Sequence, residues 1–206
     1  MRPTVLALAL LVGSGVSVLA ADPRVVFEDP LHGKLGQGWT WLRENPPAWR
    51  HSEQGLEIRV EPGLADTVKN ALVRKAPDRS AGKHAVEVTI ESTVAPTQQY
   101  EQAGLTWYQG NKPVFKLVHE FIDGKTYVIP GKKPTETRRL QLRLIVSKDQ
   151  YVAQYRADGK GEFQTAASGK LAPGMDEKIS IQCYQGPADA EHWIRFSEFR
   201  ILELPE

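Results

Sequence analysis

From Leu56 to Phe196 the apolar residues of this chain recur at every second position, in one short run after another, and that period commits them to strands. Leu56, Ile58 and Val60 alternate with Glu57 and Arg59, and Val86, Val88 and Ile90 with Glu87, Thr89 and Glu91. The same period runs through Ala103, Leu105 and Trp107, through Phe115, Leu117, His119 and Phe121, and through Leu140, Leu142, Leu144 and Val146. It returns in Tyr151, Ala153 and Tyr155, in Ile179 and Ile181, and in Ile194 and Phe196. Successive strand residues point to opposite faces, so each run has one side to bury and one to wet. Turn formers separate the runs: Pro62-Gly63, Ala81-Gly82, Gln109-Gly110-Asn111, Asp123-Gly124, Pro130-Gly131, Ala157-Asp158-Gly159 and Pro173-Gly174. No segment carries a sustained apolar stripe of helical period. About ten to fourteen short strands exceed what one open sheet holds comfortably, which predicts an all-β domain of two packed sheets or a closed barrel.

Residues 1–20 read differently. Met1 and Arg2 precede an apolar stretch from Val5 to Val12, and Val18 and Ala20 supply the small residues of a cleavage site. That is the pattern of a secretory signal peptide, and it predicts export to the periplasm or the extracellular space. Gly13, Ser14 and Gly15 interrupt the stretch short of a membrane-spanning length. Residues 21–206 are then expected to be a single domain with no membrane span. Cys183 is the only cysteine, so the domain depends on its core rather than on disulfides. It lies on the apolar side of Ile179–Cys183, as a buried and inert thiol. With 26 basic and 25 acidic residues spread along the chain, the net charge of +1 leaves no basic face for nucleic acid.

Particular residues carry a resemblance. Trp39-Thr40-Trp41-Leu42-Arg43-Glu44-Asn45-Pro46-Pro47-Ala48-Trp49, then Gly55-Leu56-Glu57-Ile58, Tyr100-Glu101-Gln102-Ala103-Gly104-Leu105 with Tyr108, and Lys116-Leu117 with Glu120 resemble a bacterial family of unknown function. Ala153–Gly159 and Ile194–Phe199 are similar to the ends of such domains. That family is grouped with the C-terminal domain of bacterial β-xylosidases in the concanavalin A-like lectin and glucanase superfamily. The resemblance implies a concanavalin A-like jelly roll, an antiparallel sandwich of two sheets, whose concave sheet commonly carries a sugar site in lectins and glucanases. It implies no particular activity.

The polar sides of the strands supply candidate ligand contacts. Gln102, Gly104, Thr106 and Tyr108 lie opposite Ala103, Leu105 and Trp107; Lys116 and Glu120 lie opposite Phe115, Leu117 and His119; Gln182 and Tyr184 face away from Ile181 and Cys183. Gln141, Arg143, Gln154 and Arg156 do the same on two other strands. If these strands were neighbours in one sheet, their polar sides would form a patch of amides, guanidinium groups, a carboxylate and a phenol, which suits sugar hydroxyls and C–H faces. A solvated sheet face carries the same residue types without any ligand. Trp41 and Trp49, with Glu44 between them, read equally as a rim that stacks on a pyranose or as core anchors.

The candidate binding residues are therefore Trp41, Glu44, Trp49, Glu101, Gln102, Tyr108, Lys116, Glu120 and Gln182, and the expected partner is a carbohydrate. The expected role is that of a lectin-like carbohydrate-binding domain. Two alternatives stand beside it: a glycoside hydrolase using a carboxylate pair drawn from Glu44, Glu101 and Glu120, and a structural or protein-interaction module without a sugar site. A glycosidase needs carboxyl groups about 5 Å apart for retention or roughly 6.5–9.5 Å apart for inversion. Glu57-Ile58-Arg59-Val60-Glu61 has the outline of a glucanase strand motif, but Arg59 stands where the central aspartate belongs, leaving an alternating strand with its charged side in water. The five histidines lack metal-ligand spacing, His119 sits on the apolar side of its strand, and no cofactor is expected; calcium near Asp29 or Asp158 would suit a secreted sandwich of this type, but no loop clusters enough oxygen ligands to assign it.

Overall fold

Pairing the alternating runs by their backbone hydrogen bonds sorts them into two sheets. The computed structural model describes residues 22–205, so the expected signal segment, residues 1–20, lies outside the described residues. The first sheet runs in the order β13 (Gln164–Lys170), β12 (Gln150–Ala157), β11 (Arg139–Ser147), β6 (Lys83–Ser92), β15 (Trp193–Leu204), β4 (Gly55–Arg59) and β3 (Trp49–Ser52). An eighth strand, β1 (Arg24–Asp29), pairs with the far half of β15. The second sheet has seven strands, in the order β10 (Lys133–Thr135), β9 (Lys125–Ile129), β8 (Lys112–Ile122), β7 (Gln102–Gln109), β14 (Glu177–Tyr184), β5 (Ala71–Lys75) and β2 (Thr40–Leu42). Neighbours are antiparallel throughout, and a single 3₁₀ turn, Pro46–Ala48, is the only helical element among the described residues. This is the expected two-sheet sandwich.

The core lies between the sheets. Leu56, Ile58, Val86, Val88, Leu140, Leu142 and Leu144 of the eight-stranded sheet pack in one cluster with Leu105, Trp107, Leu117, Ile179 and Ile181 of the seven-stranded sheet. Each side chain of this kind contributes about 1.5–3 kcal/mol when removed from water. Cys183 is buried in the same cluster, and burial raises its thiol well above the usual pKa.

One strand departs from simple alternation. Ile194 and Phe196 face the core, but so do Phe199 and Ile201, an odd step that the ladder absorbs by a register shift between Ser197 and Arg200. Glu198 takes the extra position with φ of 55°. A bulge of this kind leaves one residue unpaired and turns it outward.

The outer face of the eight-stranded sheet differs from the expected wet face. Arg50, Glu57, Arg195, Glu91 and Arg139 lie side by side on β3, β4, β15, β6 and β11, alternating in sign across five strands. Glu57 is buried between Arg50 and Arg195, at 2.8 Å from each, rather than in water. Burial alone would raise its pKa, but hydrogen bonds from Arg195 and Arg50 outweigh this and hold the carboxyl below its ordinary value. A parallel row places Glu87 between Arg143 and Arg200, at 2.5 and 2.9 Å.

Candidate functional site

The face of the seven-stranded sheet turned away from the core is not bare. On this side β14, β7 and β8 present three rows: Tyr184, Gln102 and Glu120; then Gln182, Gly104 and Val118; then Ser180, Thr106 and Lys116. The segment between β4 and β5 crosses the β14–β5 end of the face, where Val68 and Ala65 pack against Tyr184. An open groove of about 630 Å³ remains, lined by Leu64, Asp66, Tyr100, Gln102, Lys116, Glu120 and Tyr184 among others. A second hollow of about 390 Å³ shares Ala65, Pro113 and Lys116 with it, extending the cleft toward Pro130 and Tyr151.

Three polar side chains in the groove are fixed before any ligand arrives. Lys116 runs along β8 so that its Nζ donates to Glu120 Oε2 at 3.0 Å and to Gln102 Oε1 at 2.7 Å. The Gln102 amide donates to the Tyr100 carbonyl at 2.8 Å and lies 3.4 Å from Glu120 Oε1. An array held by its own hydrogen bonds loses little freedom on binding, which favours affinity. Tyr100, 50% exposed with φ of 68°, and Leu64, 61% exposed, rim the groove as uncovered apolar surface.

Beneath this layer lies a buried one. Gln182 Oε1 accepts from Tyr108 Oη at 2.8 Å and from Ser180 Oγ at 2.7 Å. Gln182 Nε2 and Thr106 Oγ1 are buried without a protein partner. Burial raises the pKa of Tyr108, so the phenol stays protonated as a donor. Gly104, in the same row as Gln182, allows close packing on the core side of the sheet. Its φ is +155°, and an added Cβ would stand 2.3 Å from the Leu117 carbonyl oxygen and 2.9 Å from Leu142 Cδ1. Gly104→Ala is expected to destabilise the domain by about 2 kcal/mol, measured as a lowered midpoint in urea unfolding, because neither backbone nor core can give way cheaply.

The family follows from comparison with known proteins. The family model of the β-xylosidase C-terminal concanavalin A-like domain matches residues 27–186. The chain belongs to this family. Its fold is similar to that of a GH43 protein, BlXynB, from Bacillus licheniformis, with a TM-score of 0.71 at 18% identity over 85% of this chain and 39% of that one. A xylan β-1,4-xylosidase from Bacillus halodurans gives 0.63 at 14% identity, again over 85% of this chain and 39% of that one. A functionally unknown protein from Saccharomyces cerevisiae gives 0.57 at 15% identity, over 82% of this chain and 97% of that one. The chain thus spans about two fifths of the two bacterial glycosidase-family structures, and at these identities the likeness is one of fold. None of the curated proteins matches it.

Within this β-xylosidase C-terminal-type domain the nine candidate residues fall in four places. Gln102, Lys116 and Glu120 line the groove, and Tyr108 and Gln182 form the layer under it. Trp41 and Trp49 lie on β2 and β3, the edge strands of the two sheets, with ring centroids 4.9 Å apart and both packed against the core. Glu44 is exposed and accepts from Trp49 Nε1 at 3.2 Å. Glu101 is buried, facing His192 Nδ1 at 2.8 Å and the amides of Thr97 and Gln98 at 3.1 and 3.3 Å. Neither Glu44 nor Glu101 lines the groove. The strands bearing Gln141, Arg143, Gln154 and Arg156 belong to the other sheet, so the polar patch of the concanavalin A-like domain divides between two opposite faces. Tyr100, Asp66 and Tyr184 complete the groove. Alternation placed Tyr184 on the right side, but no sequence signal brings the loop residues Asp66 and Tyr100 to it.

Among the described residues no group of three or more His, Cys, Asp or Glu is placed to hold a metal. Asp29 is instead occupied by three donors, the amides of Leu31 and Gly36 at 2.8 Å and Trp39 Nε1 at 2.9 Å. Nor is any helix there long and apolar enough to cross a membrane.

Proposed function

We propose that this chain is an exported carbohydrate-binding domain that takes a glycan in the groove over the seven-stranded sheet. The observation that carries the reading is the fixed Gln102–Lys116–Glu120 array on the floor of an open groove rimmed by Tyr100. Sugar hydroxyls each need a donor and an acceptor, and an ammonium, an amide and a carboxylate within one hydrogen-bonded cluster offer both. Tyr100 supplies an exposed aromatic face for the C–H side of a ring. The family, and the xylan β-1,4-xylosidase among the similar structures, support the choice of a plant-type glycan as the first ligand to try. Export rests on the charged, apolar and small-residue pattern of residues 1–20.

The test is a glycan array that includes xylo-oligosaccharides and xyloglucan fragments, followed by calorimetry on each hit. Glu120→Gln and Lys116→Met are each expected to weaken binding about 10-fold or more, since each removes a charge-assisted contact and leaves its partner uncompensated. Binding that both folded variants retain in full would move the site away from this groove. A folded wild type that binds no glycan would sink the reading.

A further inference from the structure

The other sheet carries a cleft of its own. It measures about 460 Å³ on the outer face of the eight-stranded sheet, where β1, β15, β11 and β12 come together, and Glu28, Arg139, Gln141, Arg156, Asp158, Glu198 and Arg200 contribute to its wall. Gln141 and Arg156 are two of the four polar residues that the division between sheets left without a role.

Five of the charged groups here are held by the protein yet keep hydrogen-bonding capacity. Arg156 donates from Nε to Gln141 Oε1 at 2.6 Å and from Nη1 to the Gly161 carbonyl at 3.0 Å, with its guanidinium 4.4 Å from the Phe163 ring centre. Arg200 Nη2 is tied to Glu87 at 2.9 Å, while its Nε is buried with no partner. Arg139 Nη1 reaches Glu91 at 3.4 Å. On the acidic side, Glu198 accepts from the Thr89 hydroxyl at 2.6 Å and Asp158 from the Thr137 hydroxyl at 3.0 Å, each through one oxygen of its carboxylate. The bulge in β15 turns Glu198 toward the cleft at the cost of a left-handed backbone. Such a conformation is unfavourable for a residue with a Cβ and persists only where the surroundings impose it.

We propose that this cleft is a second binding site, taking a neutral sugar or polyol of about monosaccharide size. Arg139, Arg156 and Arg200 meet the carboxylates of Glu28, Asp29, Asp158 and Glu198 in its wall, and Arg139 and Arg200 are already paired to Glu91 and Glu87, so the site carries no surplus of positive charge to attract an anion. Fixed donors beside fixed acceptors suit vicinal hydroxyls, which give and take hydrogen bonds at adjacent carbons. The volume lies within the range of small-molecule sites. This cleft and the groove lie on different sheets.

The experiment is a titration of the ¹⁵N-labelled protein with D-xylose, D-galactose and D-glucuronate, followed by NMR. Either neutral sugar is expected to shift the amides of Gly159, Phe199 and Arg200 at millimolar concentrations. Those shifts should weaken at least several-fold in Glu198→Gln and in Arg156→Met, and persist in the groove variant Glu120→Gln. If Arg156→Met loses the dispersed spectrum of a folded protein, Arg156→Lys, which keeps the charge and loses the fork, takes its place with the same expectation. Three results would overturn the proposal: no shift at these amides with tens of millimolar neutral sugar, larger shifts there with glucuronate, or shifts unchanged in the folded variants.

Discussion

Replacing Glu87 by alanine is expected to cost the domain about 3–5 kcal/mol, enough to unfold a marginal sandwich at ambient temperature. Glu87 is fully buried on β6, and its two oxygens are taken by Arg143 from β11 and Arg200 from β15, directly opposite in register on either side. Taking away the carboxylate would leave two guanidinium groups facing each other with no anion between them. Arg200 already has one buried nitrogen without a partner, so it has little room to find another. The variant Glu87→Gln preserves the shape and one or two hydrogen bonds, and should lose less. Urea unfolding of both variants measures the difference. A loss below about 1 kcal/mol for Glu87→Ala would mean that water reaches this row freely, which would reduce it to surface ion pairs.

The second large effect is an acid sensitivity centred on one histidine. His119 is buried on the core side of β8, with Nε2 at 2.8 Å from the Thr135 hydroxyl. Burial lowers its pKa from 6.5 to about 4. The unfolded chain therefore takes up a proton between those values while the folded one does not, and stability falls as pH drops through that window. Between neutral pH and pH 4 the loss attributable to this residue is about 3 kcal/mol. His119→Gln, which can still bond to Thr135, should remove the slope between pH 6.5 and 4 while keeping the fold. Glu57 acts in a separate window: its lowered pKa contributes stability that persists above 4.5 and disappears only at more acidic pH. Parallel curves for wild type and the His119 variant down to pH 4 would show that the buried ring protonates in place.

The alternation made most of the sandwich legible. Every run it marked is a strand, because a period of two is the one signal that half-buried β structure cannot avoid. Two of the strands it left out show the physical reasons for silence. Gln164–Lys170 is built of small residues, Thr-Ala-Ala-Ser-Gly, with little apolar contrast, and Arg24–Asp29 places Val25 and Val26, adjacent and both about half exposed, where no alternation can show. Sheet membership was the harder matter. Gln102 and Gln141 look alike in sequence, yet β7 and β11 lie in opposite sheets, and only long-range pairing decides this. The charge rows were hidden for the same reason. Arg50 and Glu57 are neighbours along the chain, but Arg195 and Glu91 reach them from far away. In the candidate groove, the strand residues follow from parity, whereas Tyr100 and Asp66 arrive on loops.

The pairing of β1 with the last part of β15 has a mechanical side. Arg24 stands opposite Glu203, so the two outermost ends of the described sandwich leave from the same end of one ladder. Antiparallel hydrogen bonds lie across the strands, and a pull applied through both ends acts along those bonds. The ladder would open pair by pair, like a zipper, at low force rather than resisting as a block in shear. The strands that floor the groove, β7, β8 and β14, lie in the middle of the opposite sheet. Tension that began to peel the domain would reach a cargo held there last.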